Sequence, residues 1–230
     1  MARGKNRQIT NARMQGLSEV ARATIRRNSA PEAQSISTED GLAAARRIAE
    51  VAEAEGVEFA LAGGIAMHLY GFTRATTDVD LIASDVLDLE SVRDLSFGGE
   101  SYPVEIGGRT INVDWIVRED DLADFYQAAL ADARPSDAGL AIVTPEWLVI
   151  LKKLADRGKD HLDLLWLLRR EGLVDRERVA ALVREHFGRV AFILLNSLEA
   201  IYLEADIMRA KDERDEGSRA PGAKKPKLRK

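Results

Sequence analysis

The chain has no cysteine among its 230 residues. That excludes a disulfide framework, a thiolate metal site and a cysteine nucleophile, and it suits a reducing compartment. Histidine is almost as scarce: His68, His161 and His186 are scattered without metal-ligand spacing and read as structural or surface residues. Aromatic residues are 6% of the chain, and Trp115, Trp147 and Trp166 read as core, not as base-stacking platforms. No apolar run is long enough to span a bilayer, and the N-terminus lacks the apolar core of a signal segment. The expectation is a cytoplasmic protein with no membrane partner.

The net charge of −5 conceals an asymmetry. Residues 1–30 hold seven Lys/Arg and one acid, for +6, and residues 217–230 hold six Lys/Arg and no acid, for another +6. The stretch 31–216 therefore carries −17. Basic arms on an acidic body can contact a polyanion; charge alone favours the plainer reading of solvated tails.

Apolar periodicity divides the chain into an α/β portion and a helical one. Residues 1–36 read as a basic arm, disordered or loosely helical. Ser37 and Asp40 have capping-box spacing, and a helix follows to about Glu55, closed by Gly56. "VEFALAG" reads as a strand, "GIAMHLYG" as a short helix and "TDVDLIA" as a second strand. Residues 84–100 are ambiguous. "SYPVEIGGRTINVDWIVR" reads as a hairpin turning at Gly107-Gly108. A helix over "EDDLADFYQAALADA" and a short strand "GLAIV" follow. Thr144 and Pro145 read as the cap and first residue of a helix. Helices are expected over 145–156, 160–171, 176–187 and 189–212, broken at Gly158, Gly172 and Gly188. The expected organisation is an arm (1–36), an α/β domain with a small mixed sheet (37–140), a helical bundle (141–212) and a basic tail (213–230).

The informative stretch is "LAGGIAMHLYGFTRATTDVDLIAS". Side chains at i and i+2 of a strand share a face, so Asp78 and Asp80 lie side by side. Two such carboxylates repel unless a cation or proton stands between them. A hard ion such as Mg²⁺ suits them. Asp114, in "TINVDWI", offers a third carboxylate if its strand pairs beside that of Asp78. Gly63 and Gly64 lie where a strand becomes a helix, a place where backbone can approach phosphate. Arg74 and Thr77 read as residues that brace this loop or touch phosphate.

Gly-Gly, a short helix and then Arg-x-Thr-x-Asp-x-Asp resembles the nucleotidyltransferase superfamily typified by DNA polymerase β. The later strand residue Asp114 occupies the place of that superfamily's third carboxylate. In the helical half, "LVILKKLADRGKDHLDLLWLL" resembles the C-terminal motif of the AbiEii/AbiGii toxin-type nucleotidyltransferases. Lys152 (or Lys153, one residue on), Arg157, Lys159, Asp160 and Asp163 fit it. The resemblance covers about residues 57–170. It implies catalytic and metal-binding roles for Asp78, Asp80 and Asp114 with two Mg²⁺ ions. It implies nucleotide-binding roles for Gly63, Gly64, Arg74, Thr77, Lys152 and Asp160. The expected activity is transfer of a nucleoside monophosphate from an NTP to an acceptor hydroxyl. The acceptor is tRNA or another macromolecule reached by the basic arms, and an antitoxin protein is an expected partner. Alternatives are a small-molecule acceptor of aminoglycoside type, or a degenerate protein that only binds nucleotide or RNA.

Overall fold

The computed structural model describes residues 34–219, with side chains through 215. The arm over 1–33 and the tail over 220–230 lie outside the described residues. From Ile36 onward the chain is one compact unit.

The first helix, α1 (Thr38–Glu55), starts at Ser37, whose hydroxyl accepts from the Asp40 N–H. It ends at Gly56 in the left-handed region, φ 72°. Its buried stripe is Ala44, Ala45, Ile48, Ala49 and Ala52, small residues that let it lie close against the sheet. Strand β1 (Phe59–Ala62) runs directly into the short helix α2 (Gly63–Leu69), and β2 (Asp78–Ala83) returns antiparallel to β1. The ambiguous segment yields only the two-residue strand β3 (Arg93–Asp94). The expected hairpin forms as β4 (Glu100–Ile106) and β5 (Arg109–Ile116). Gly107 and Gly108 turn it at φ 58° and 78°, values that both centres of a tight hairpin turn require. Helix α3 (Ala123–Ala131), β6 (Arg134–Pro135) and β7 (Ala141–Ile142) follow.

The strands make one seven-stranded sheet in the order β3-β4-β5-β2-β1-β7-β6. The pairs β2–β5 and β1–β7 are parallel and the others antiparallel. This is the mixed α/β architecture expected from the sequence, and the sheet reaches past position 140 through β7. One face carries Val79, Leu81, Val113 and Trp115, all fully buried. Burying each such side chain contributes about 1.5–3 kcal/mol.

Helices α4 (Pro145–Ala155), α5 (Gly158–Arg169), α6 (Arg176–Phe187) and α7 (Ala191–Arg219) complete the chain. Two expectations need correction. The break between α4 and α5 is not at Gly158, which is the first residue of α5; the chain turns at Asp156, a non-glycine residue at φ 48°. The last helix runs seven residues beyond 212, after a 3₁₀ turn at Gly188–Val190. Thr144 has the extended backbone of a cap, but its side chain makes no capping bond and its hydroxyl is buried without a partner among the described residues. Trp115 and Trp147 are core; Trp166 is half-buried and stacks on Phe72 at 5.1 Å. No helix among the described residues is long and apolar enough to cross a membrane.

Candidate active site

Parallel pairing of β2 with β5 aligns Asp78 with Asn112, Asp80 with Asp114 and Ile82 with Ile116. Register partners in a parallel pair point to the same side. One face therefore carries carboxylates at one end and isoleucines at the other. This explains the imperfect alternation around Asp114: Ile116 is apolar because that face leads into a cavity. The cavity has a volume of about 250 Å³, and Gly63, Asp80, Ile82, Ile116, Lys152 and Arg157 are among its lining residues.

Asp80 is half-buried, and its burial, together with the neighbouring Asp78 carboxylate, pushes its pKa up; the Lys152 charge opposes them. The glycine pair is bound up with these aspartates. A Cβ on Gly63 would lie 1.7 Å from Asp80 Oδ2, and Gly63 sits at φ 58°. The Gly64 N–H points at the same oxygen, 3.4 Å away. A Cβ on Gly64 would lie 2.4 Å from Thr76 Oγ1. Thr76 in turn lies 3.3 Å from both the carbonyl and the Oδ1 of Asp78. Gly63 and Gly64 thus make room for Asp80 and Thr76. Thr77 is exposed, while Thr76 is the buried threonine that touches the site.

Asp114 is buried and held from the other side. Ser101 Oγ donates to its Oδ1 at 2.6 Å, and one guanidinium nitrogen of Arg93 bridges both oxygens at 3.0 and 3.1 Å. The three aspartates share a face, but no three His, Cys, Asp or Glu side chains among the described residues are gathered closely enough to hold a metal ion as they stand. Asp78 and Asp80 lie on one face of β2, with the Asp78 charge felt at Asp80. Two oxygen ligands of like charge, one of them pressed toward its neutral form, fit a hard divalent cation.

The helical half contributes a buried charge network. Lys152 Nζ lies 2.8 Å from Asp163 and 3.3 Å from Asp160. Arg74 grips Asp163 with two nitrogens at 2.6 and 2.7 Å, and spends a third donor on the Ala75 carbonyl. Arg157 Nε reaches Asp160 at 2.6 Å. Burial raises Asp160, but Arg157 and Lys152 outweigh it and hold the carboxyl below its ordinary range. Arg74 is therefore a brace between the β2 entry loop and α5. Lys152 is the more deeply buried of the two lysines; Lys153, half-buried, pairs with the exposed Asp156. His68 is structural: its ring bridges Thr38 and the Arg74 backbone.

Sequence reasoning missed Thr76, Ser101 and Arg93, and gave Asp163 and Arg157 no role of their own. The i, i+3 spacing of Asp160 and Asp163 was the available signal for Asp163. Arg93 lies in a segment with no periodicity to read.

No protein-family model matches the chain, and no curated protein matches it. Solved structures to which the chain is similar include two nucleotide- or resistance-related proteins. One is the crystal structure of an antigenic nucleotidyltransferase-like protein from Paracoccidioides brasiliensis, 15% identical, with 70% of this chain and 94% of that chain covered at a TM-score of 0.42. The other is the solution structure of the antibiotic-resistance factor ANT(2'')-Ia, 13% identical, with 79% and 99% covered at a TM-score of 0.36.

Proposed function

We propose that this chain is a magnesium-dependent nucleotidyltransferase that moves a nucleoside monophosphate from an NTP to an acceptor hydroxyl, releasing pyrophosphate. The observation that carries the reading is the Asp78–Asp80 pair, in register with Asp114, beside a cavity lined by Lys152 and Arg157. Asp78, Asp80 and Asp114 would hold two Mg²⁺ ions, which supply charge neutralisation for the triphosphate and activation of the acceptor hydroxyl. Arg157, half-exposed at the cavity, offers the nucleotide a cation. Lys152 contributes its charge from behind, held in place by Asp160 and Asp163. Gly63 fixes Asp80 in its position. Ile82, Ile116 and Leu148 form apolar cavity walls beside the carboxylates.

The acceptor in this reading is RNA, with tRNA the first candidate, and the protein is a cytoplasmic toxin restrained by an antitoxin. The support for an RNA acceptor is electrostatic: a body at −17 needs the +6 arms on either side to approach a polyanion. The test is incubation with each labelled NTP, Mg²⁺ and total RNA, with an aminoglycoside mixture in parallel. A labelled RNA band that disappears with Asp78→Asn supports the reading. Label on the aminoglycoside instead would transfer it to a small acceptor, and no transfer to any acceptor would leave a binding protein.

A further inference from the structure

Arg93, Ser101, Asp114 and Asp80 form one row across four adjacent strands. Arg93 is the register partner of Ser101 on β4, Ser101 of Asp114 on β5, and Asp114 of Asp80 on β2. The two-residue strand β3 thus delivers a cation to the carboxylate row. Arg93 meets Asp114 as a metal ion would, with one nitrogen nearly equidistant from the two oxygens. The burial of the partners is unequal. The Asp114 side chain is 8% exposed and pinned by Ser101, whereas that of Arg93 is 54% exposed. The guanidinium can swing into water; the carboxylate has nowhere to go.

We propose that Arg93 is the resident counter-ion of Asp114, a positioning residue that a divalent ion must displace before it can bind there. The inference rests on the nucleotidyl-transfer reading and deepens it. Ion binding is then sequential: Asp78 and Asp80 take the first ion without opposition, and Asp114 admits the second only when Arg93 leaves. The Arg93 partner is solvent-exposed and can be rehydrated on leaving, so the gate is surmountable.

The test is Mn²⁺ titration of the full chain with a non-hydrolysable NTP analogue, following free Mn²⁺ by electron paramagnetic resonance. Wild type should show a tighter and a weaker ion, and Asp114→Asn should lose the weaker one. Arg93→Ala and Arg93→Gln should tighten the weaker ion about three- to twentyfold, from the lost pair and the removed positive charge, and leave the tighter one unchanged. Arg93→Lys, which keeps the charge, should stay near wild type. A weaker ion unchanged or further weakened in Arg93→Ala and Arg93→Gln, or a single ion in every variant, overturns the gate while sparing the function. If neither Asp78→Asn nor Asp80→Asn removes any ion, the metal reading itself falls, and the gate with it.

Discussion

Asp80 fills the space where a side chain on Gly63 would begin: a methyl group on the glycine would lie 1.7 Å from a carboxylate oxygen of the aspartate. The glycine is required by the aspartate as well as by its own positive φ. Gly63→Ala should therefore act as an active-site mutation although it changes no reactive group. The expected cost is about 1–3 kcal/mol of stability, with nucleotidyl transfer lost along with Asp80's position. Denaturant melts and Mn²⁺ binding, measured side by side, check it; normal ion binding in this variant would contradict the crowding argument.

Asp80 is a carboxylate raised by burial and by Asp78. Its folded form binds a proton more tightly than the unfolded chain does, so ionised Asp80 costs stability at neutral pH and that cost fades on acidification. Asp80→Asn should thus melt at or above the wild-type temperature at pH 7 while losing transfer activity. A clear drop in melting temperature would mean that the charge is compensated by something other than a bound cation.

Asp160 shows the opposite sign. Its carboxyl is held below the ordinary value of 3.8, so its contribution is complete above that value and disappears as pH falls through the depressed one. Asp160→Asn should lower stability at pH 7 and flatten the acid limb of the stability curve below about pH 4. Urea titrations from pH 7 to pH 2 would reveal a parallel, unflattened curve if the argument fails.

Asp163 is wholly buried between Arg74 and Lys152. Removing its charge leaves Arg74 without its carboxylate and Lys152 with Asp160 alone, and Asp163→Asn should cost about 3–5 kcal/mol. A double-mutant cycle with Arg74→Ala should return a coupling of about 0.5–3 kcal/mol, since the two residues share a bidentate contact. Additive effects would show the brace to be ornamental.

If the acceptor is RNA, its affinity should fall steeply with salt. Deleting residues 1–30 and 217–230 should weaken RNA binding and flatten that slope, with NTP binding intact. Filter binding across a salt series, with and without the arms, decides the matter. An unchanged slope in the truncated protein returns the arms to solvated tails.

Most of the architecture was legible because its elements are long enough to show a period: α1, the β4–β5 hairpin and the alternation of β2. Local signals failed where the cause was local and short. Thr77 looked like the site threonine, but period-two alternation carried back from β2 puts Thr76, not Thr77, on the face of Asp78 and Asp80, and Thr76 is the buried one. Asp156 adopts the left-handed turn that Gly158 appeared to offer, because the α5 cap is built from Arg157 and Asp160 and leaves Gly158 inside the helix. Arg93 was unreadable, since a two-residue strand has no period. Its register with Ser101 exists only once the hairpin is formed. Asp163 was visible as a helix-face residue, but its partner Arg74 lies 89 positions away.

That last separation bears on the order in which the molecule comes into being. The β4–β5 hairpin closes through neighbours in sequence, whereas the Arg74–Asp163 clasp joins segments from opposite halves of the fold. Long closures of this kind form late. On the ribosome, both aspartates of β2 emerge many seconds before α5 at ordinary synthesis rates. A nascent chain thus carries the carboxylates without the brace on their loop, which can form only after synthesis has passed Asp163.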